Sequence, residues 1–174
     1  MRGGTLTAAA AAALALAAPA YAGPAGPDVP SRIAVEAGHK PYLVAHATGV
    51  QIYRCDGASW GPSTPRADLY DDRATAIGSH YAGPTWEARD GSTVKASRVD
   101  GVTVDPTAIP WLLLKKTATT VGQDGARLTA TTYIQRTATV GGIAPPAASC
   151  NAATEGTVVE VPYTADYTFW KEQA

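Results

Sequence analysis

The sequence lacks the features that mark several large classes of protein. Only two cysteines occur among its 174 residues, and neither belongs to a CxxC pair. After the first 22 residues, no apolar run approaches the ~18 residues of a membrane-spanning helix, so no membrane span is expected. Basic and acidic residues nearly balance, giving a net charge of −1. No basic cluster is present either, which argues against a nucleic-acid partner.

The motifs of common catalytic and cofactor sites are also missing. The chain contains no HExxH metal motif, no acidic loop of the EF-hand type and no GxSxG nucleophile elbow. It has no glycine-rich loop between a strand and a helix that would bind a dinucleotide phosphate. The sequence therefore predicts no metal and no cofactor.

The N-terminus predicts export. Arg2 is the only charged residue before Asp28, and a run of alanine and leucine ends at Ala20-Tyr21-Ala22. An apolar run followed by small residues at a cleavage site is typical of a secretory signal peptide. We expect a signal peptide over residues 1–22, a flexible Pro/Gly leader over 23–32, and a single β domain over 33–174.

Export favours a disulfide between the two cysteines. Cys55 and Cys150 are an even count in an oxidising compartment, and only one pairing is possible. A bridge between them closes a loop of ~95 residues, which the chain-entropy description values at slightly over 4 kcal/mol.

The residue pattern after Ile33 is that of β-strands. In "GVQIYRC", Gln51, Tyr53 and Cys55 share one face of a strand. A hairpin is expected from "PWLLLKKTATT" and "ARLTATTYIQRTATV", joined by Gly122-Gln123-Asp124-Gly125. No window shows a convincing helical period. The prediction is an all-β, single-domain antiparallel β-sandwich or barrel with one disulfide.

Five segments stand out for their order and spacing along the chain: "GVQIYRC", "HYAGPTWEARDGSTV", "IPWLLL", "YIQRTATVGGIAPPAASC" and "VPYTADYTFW". Together they resemble the exported bacterial and fungal family named domain of unknown function 3455. The resemblance covers nearly the whole chain after the leader. It implies a secreted, mostly β domain with no established activity.

The candidate binding site lies in the segment "GSHYAGPTWEARDGSTV", residues 78–94. Glycine and proline punctuate a short span that contains aromatic, histidine and acidic side chains. Aromatic rings contact sugars or flat apolar ligands, and histidine and glutamate then fix the ligand's orientation by hydrogen bonds. The predicted ligand-binding residues are His80, Tyr81, Trp86 and Glu87, with Gln51 and Tyr53 as secondary candidates.

Plainer interpretations of the same segment stay open. Trp86 could plug the core of a hairpin, and Arg136, a charged residue on a predicted central strand, could pair with Glu87 or Asp90. We expect a secreted, non-catalytic binding or envelope-associated domain whose ligand is a carbohydrate or a small apolar molecule. The alternatives are an extracellular hydrolase with Glu87 or His80 as acid or base, and a purely structural cell-surface protein.

Overall fold

The structure is a computed structural model that describes residues 24–173. The predicted signal peptide lies outside the described residues. These residues form eight antiparallel strands that close into one barrel, in which β1 pairs with both β2 and β8. The strands are β1 (His39–Arg54), β2 (Thr64–Tyr70), β3 (Ala76–Tyr81), β4 (Thr85–Ala88), β5 (Thr93–Val102), β6 (Trp111–Thr120), β7 (Tyr133–Gly141) and β8 (Val158–Glu172).

The all-β prediction is confirmed, and the closed ring of strands identifies a barrel. Helical structure within residues 24–173 is confined to three short 3₁₀ turns, Ser31–Ile33, Ala147–Ser149 and Ala152–Thr154. In the same part of the chain, no helix is long and apolar enough to cross a membrane.

The barrel interior is built from alternate residues of every strand. It combines small residues with large rings, because a small barrel leaves only limited space between opposite strands. One row of paired residues runs from Gly49 through Ala67, His80 and Trp86 to Val94. A side chain at Gly49 would collide with the backbone of Arg66 and Ala67, so this position requires glycine.

The predicted disulfide is present between Cys55 and Cys150. Cys55 directly follows β1, and Cys150 lies in the long connection from β7 to β8. Both cysteines are buried. The bridge therefore holds this connection against the end of β1.

The predicted hairpin is correct for β6 but wrong for the start of its partner. Residues 127–130 form a turn instead of a strand, and β7 begins only at Tyr133. Two side chains of the neighbouring turn accept hydrogen bonds from backbone N–H groups of this segment. The Asp90 carboxylate accepts from Arg127 N (2.8 Å), and Ser92 Oγ accepts from Leu128 N (3.1 Å). The far end of β6 pairs with β5 instead.

The segment before β1 packs on the outside of the barrel. Val29, Ile33 and Val35 join an outer apolar cluster with Tyr133 and Trp170. Beneath this cover, Gln135 donates to the Ile33 carbonyl (2.7 Å) and accepts from Trp170 Nε1 (2.9 Å). The side-chain amide of Gln135 thus makes its hydrogen bonds on the outer face of the barrel.

Candidate functional site

The segment that the sequence singled out forms the β3–β4 hairpin and the start of β5. His80 pairs with Trp86 across the hairpin, and Tyr81 pairs with Thr85. Because side chains alternate along a strand, His80 and Trp86 enter the barrel, whereas Tyr81 and Glu87 lie on its outer face. The predicted site is therefore divided between the two sides of the sheet.

His80 and Trp86 form a stacked aromatic pair inside the barrel. Their ring centroids are 4.1 Å apart, and their planes differ by 8°. The ring of Tyr167 meets both edge-on, at 5.1 Å from His80 and 5.4 Å from Trp86. Only 1% of Trp86 is exposed. Its ring is therefore part of the packed interior.

The surroundings of His80 determine its protonation state. Nδ1 lies 2.8 Å from the Thr85 carbonyl oxygen. A carbonyl can only accept, so Nδ1 carries the hydrogen, and Nε2 of the neutral ring is left as an acceptor. The pKa of His80 is lowered to about 4, chiefly by burial and also by the Arg136 charge, while the hydrogen bond to Thr85 acts in the opposite direction. His80 is consequently a neutral acceptor at physiological pH.

A cavity of about 420 Å³ lies beside this aromatic pair. Its volume falls within the range of small-molecule sites, ~300–1,000 Å³. Each of the eight strands contributes to its wall, which places it in the interior of the barrel. In order from β1 to β8, the wall includes Gln51, Pro65, His80, Trp86, Arg98, Leu112, Arg136 and Tyr167.

Two buried N–H groups of the wall have no hydrogen-bond partner within the described residues. They are Gln51 Nε2 and Trp86 Nε1. The other end of the Gln51 amide is held, because its Oε1 accepts from Ser63 Oγ at 2.7 Å. An unpaired buried N–H costs about 1–3 kcal/mol, so two of them beside one cavity call for an explanation.

Arg136 enters this cavity and does not pair with an acid. Its Nε and Nη2 both donate to the Pro110 carbonyl, at 3.0 and 2.8 Å. The expected pairing with Glu87 or Asp90 is wrong: Glu87 lies on the outer face of the barrel, and the Asp90 carboxylate accepts from Ser92 and Arg127. The guanidinium is thus oriented by backbone and keeps its charge inside the barrel.

The remaining predicted residues lie away from the cavity. The Tyr81 hydroxyl donates to Glu87 Oε2 (2.8 Å) on the outer face, and this bond raises the pKa of Tyr81. Tyr53 is buried, and its hydroxyl donates to the Gly142 carbonyl (2.7 Å). Of the six predicted residues, the structure brings Gln51, His80 and Trp86 to the cavity.

Carboxylates do not take part in the cavity wall. Its acid–base groups are His80 and Tyr167, and burial raises the pKa of Tyr167. Elsewhere in residues 24–173, no three His, Cys, Asp or Glu side chains come together as a possible metal site. The wall offers hydrogen-bond donors and acceptors, apolar surface and positive charge to a molecule in the cavity.

Sequence reasoning missed Arg98, Leu112 and Tyr167 as wall residues. Arg136 was noticed as a charge on a central strand but was given an acidic partner. One signal was available: Ile134 and Arg136 are two residues apart, so they share a face of β7 with the core. A charge on an apolar face of a central strand indicates either an ion pair or a site, and spacing alone does not distinguish them.

Comparison with known proteins places the chain in a family. The model of the family described as "Protein of unknown function (DUF3455)" matches residues 36–171. This match includes every wall residue of the cavity and both cysteines. No curated protein and no solved structure matches the chain. The chain therefore belongs to the DUF3455 family.

Proposed function

We propose that this protein binds a small molecule inside its barrel. The observation that carries the proposal is the cavity of about 420 Å³ with two unpartnered buried N–H groups in its wall. Both N–H groups are fully buried, so a bound molecule with an acceptor group would reach and satisfy them through a small shift of the side chains that line the cavity. In this account Gln51, His80 and Trp86 are ligand-binding residues, with two donors and the Nε2 acceptor of His80.

The packing favours a small, largely apolar molecule over a sugar ring stacked on Trp86. His80 covers one face of the indole, and the 1% exposure of Trp86 leaves no ring face open to solvent. Leu112 and Leu114 add apolar surface to the wall of the cavity. A ligand would therefore contact the exposed edges of the wall residues and fill the remaining space.

The alternatives receive less support from the arrangement of side chains. A hydrolase that uses Glu87 would act on the outer face, away from the cavity, and one that uses His80 would have no carboxylate beside it in the wall that the structure describes. A purely structural role accounts for the packed Trp86 but leaves two buried donors and a cavity unexplained. Ligand binding accounts for the packed Trp86, for the two buried donors and for the cavity.

We place this activity outside the cytoplasm. The buried disulfide supports this location, because such bonds persist in oxidising compartments. The signal peptide that the sequence predicts over residues 1–22 supports the same location independently of the disulfide.

Filling the cavity tests the proposal. We expect Leu112→Trp to fold but to lose any thermal shift that the wild type shows with four probes: phenylpropionate, phenylpropionamide, galacturonate and galactose. The added ring would occupy the cavity that Leu112 lines. Glu87→Gln, on the outer face, is expected to keep the full response.

A matched control separates blocking from destabilisation. Val99→Trp adds the same ring on β5 at a position that is 55% exposed, and we expect it to respond like the wild type. A response that survives in Leu112→Trp but disappears in Glu87→Gln would contradict binding in the barrel and favour the outer face.

A further inference from the structure

The charges around the cavity have one sign. Arg98 and Arg136 are the charged residues of its wall, and no aspartate or glutamate contributes to it. Over the whole chain acidic and basic residues are nearly equal, with a net charge of −1. The positive charge at the cavity is therefore a local feature of this site.

Arg136 has unused binding capacity at this position. A guanidinium has five N–H donors; Arg136 gives two of them to the Pro110 carbonyl and has a further contact with the Tyr167 hydroxyl, which leaves donors for a ligand. The ion pairs of residues 24–173 include neither Arg136 nor Arg98. A half-buried cation without a counter-ion is costly, and a bound anion would neutralise it.

We infer that the ligand is a small carboxylate with an apolar body, held by Arg136 and Arg98. This inference rests on the proposed function and specifies its ligand class. Guanidinium matches a carboxylate through paired, charge-assisted hydrogen bonds. The buried N–H groups of Gln51 and Trp86 add neutral donors, and Leu112 and Leu114 contact the apolar body.

The two arginines differ in how they are held. Pro110 fixes the Arg136 guanidinium on β7, at half burial, where water competes weakly with a bound anion. Arg98 on β5 is exposed and lies near Asp100, whose carboxylate is occupied by Arg32 at 2.9 Å. Arg136 is thus the main anchor, and Arg98 is a second, solvent-exposed charge of the wall.

Calorimetric titration of the full chain with phenylpropionate and with phenylpropionamide tests this inference. The two probes share one apolar body and differ in charge. Charge-assisted hydrogen bonds contribute about 1.5–3 kcal/mol, so we expect the acid to bind at least tenfold more tightly than the amide. In Arg136→Gln we expect the acid and the amide to bind about equally tightly. In Arg98→Gln we expect the preference for the acid to decrease severalfold.

The variants are chosen so that folding defects do not decide the result. Arg136→Gln removes the bond to Pro110, whereas Arg98 is exposed and its variant keeps the core unchanged. Arg66→Gln is the control, because Arg66 is an exposed arginine of β2 that pairs with Glu160 (2.7 Å). We expect Arg66→Gln to keep the full preference for the acid.

The outcomes distinguish this inference from the proposed function. Equal binding of acid and amide, both lost in Leu112→Trp, would overturn the anionic ligand and leave binding in the barrel standing. A preference for the acid that persists in Arg98→Gln and Arg136→Gln would also overturn it. Failure of all four probes to bind the wild type would contradict the proposed function and this inference together.

Discussion

Removing the Cys55–Cys150 disulfide is expected to lower the free energy of unfolding by about 4 kcal/mol. The two cysteines are 95 residues apart, so the bridge restricts the unfolded chain over more than half of its length. Small domains have only about 5–15 kcal/mol of stability. The loss of this bond would therefore remove a large part of it.

Urea unfolding with and without a reductant measures the effect. The wild type should unfold at a clearly lower urea concentration once the bond is reduced. A Cys55→Ala/Cys150→Ala double variant should behave like the reduced wild type and should not respond to the reductant. An unchanged midpoint in fully reduced wild type would show that the bridge contributes little.

Acidification from pH 7 to pH 4 is expected to remove about 3 kcal/mol of stability through His80 alone. Burial lowers the folded-state pKa of His80 to about 4, whereas an unfolded histidine titrates near 6.5. Between these values the unfolded chain binds the proton and the folded chain does not. Stability is therefore complete above about pH 6.5 and falls as the pH approaches 4.

Replacing the titrating ring isolates this effect. His80→Phe keeps an aromatic ring against Trp86 and cannot take up a proton. The difference in unfolding free energy between wild type and variant should shift by about 3 kcal/mol between pH 7 and pH 4. Parallel pH profiles for the two proteins would contradict a buried, neutral His80.

His46 provides a control of opposite sign. Asp72 and Asp166 bind its two ring nitrogens, at 2.9 and 2.7 Å, and raise its pKa. Its contribution is present below about pH 6.5 and is lost as the pH rises through its folded-state pKa. The side chain is 42% exposed, so screening makes this effect smaller than that of His80. His46→Gln should therefore change the pH profile weakly and in the other direction.

The sequence was sufficient for the strand content and for the disulfide, because both leave local signals. Alternation placed Gln51, Tyr53 and Cys55 on one face of a strand, and all three are buried. The sequence was not sufficient for the start of β7, because the side chains of Asp90 and Ser92, which are far away in sequence, accept hydrogen bonds from the backbone N–H groups of residues 127 and 128. Long-range hydrogen bonds of this kind have no local pattern.

The sequence indicated only some of the residues that line the cavity, and the reason is again that distant strands contribute the others. The sequence singled out the segment around His80 and Trp86 for its side-chain types, and both residues line the cavity. Glu87 and Tyr81 belong to the same cluster, but the alternation of β3 and β4 directs them outward. Arg98, Leu112 and Tyr167 come from distant strands, and only the closure of the barrel brings them to the same cavity.

The indole signal of Trp86 gives the most direct test of the claim that the barrel cavity binds a ligand. The protein has four tryptophans, and a proton–nitrogen correlation spectrum reports each indole N–H separately. Trp86 Nε1 has no hydrogen-bond partner in the part of the chain that the structure describes, whereas Trp60 and Trp170 donate to Ser149 and Gln135. On titration with phenylpropionate, we predict that the Trp86 signal, assigned with Trp86→Phe, moves while those of Trp60 and Trp170 stay in place. A titration in which the Trp86 signal stays fixed with this probe and with the other three would contradict the account.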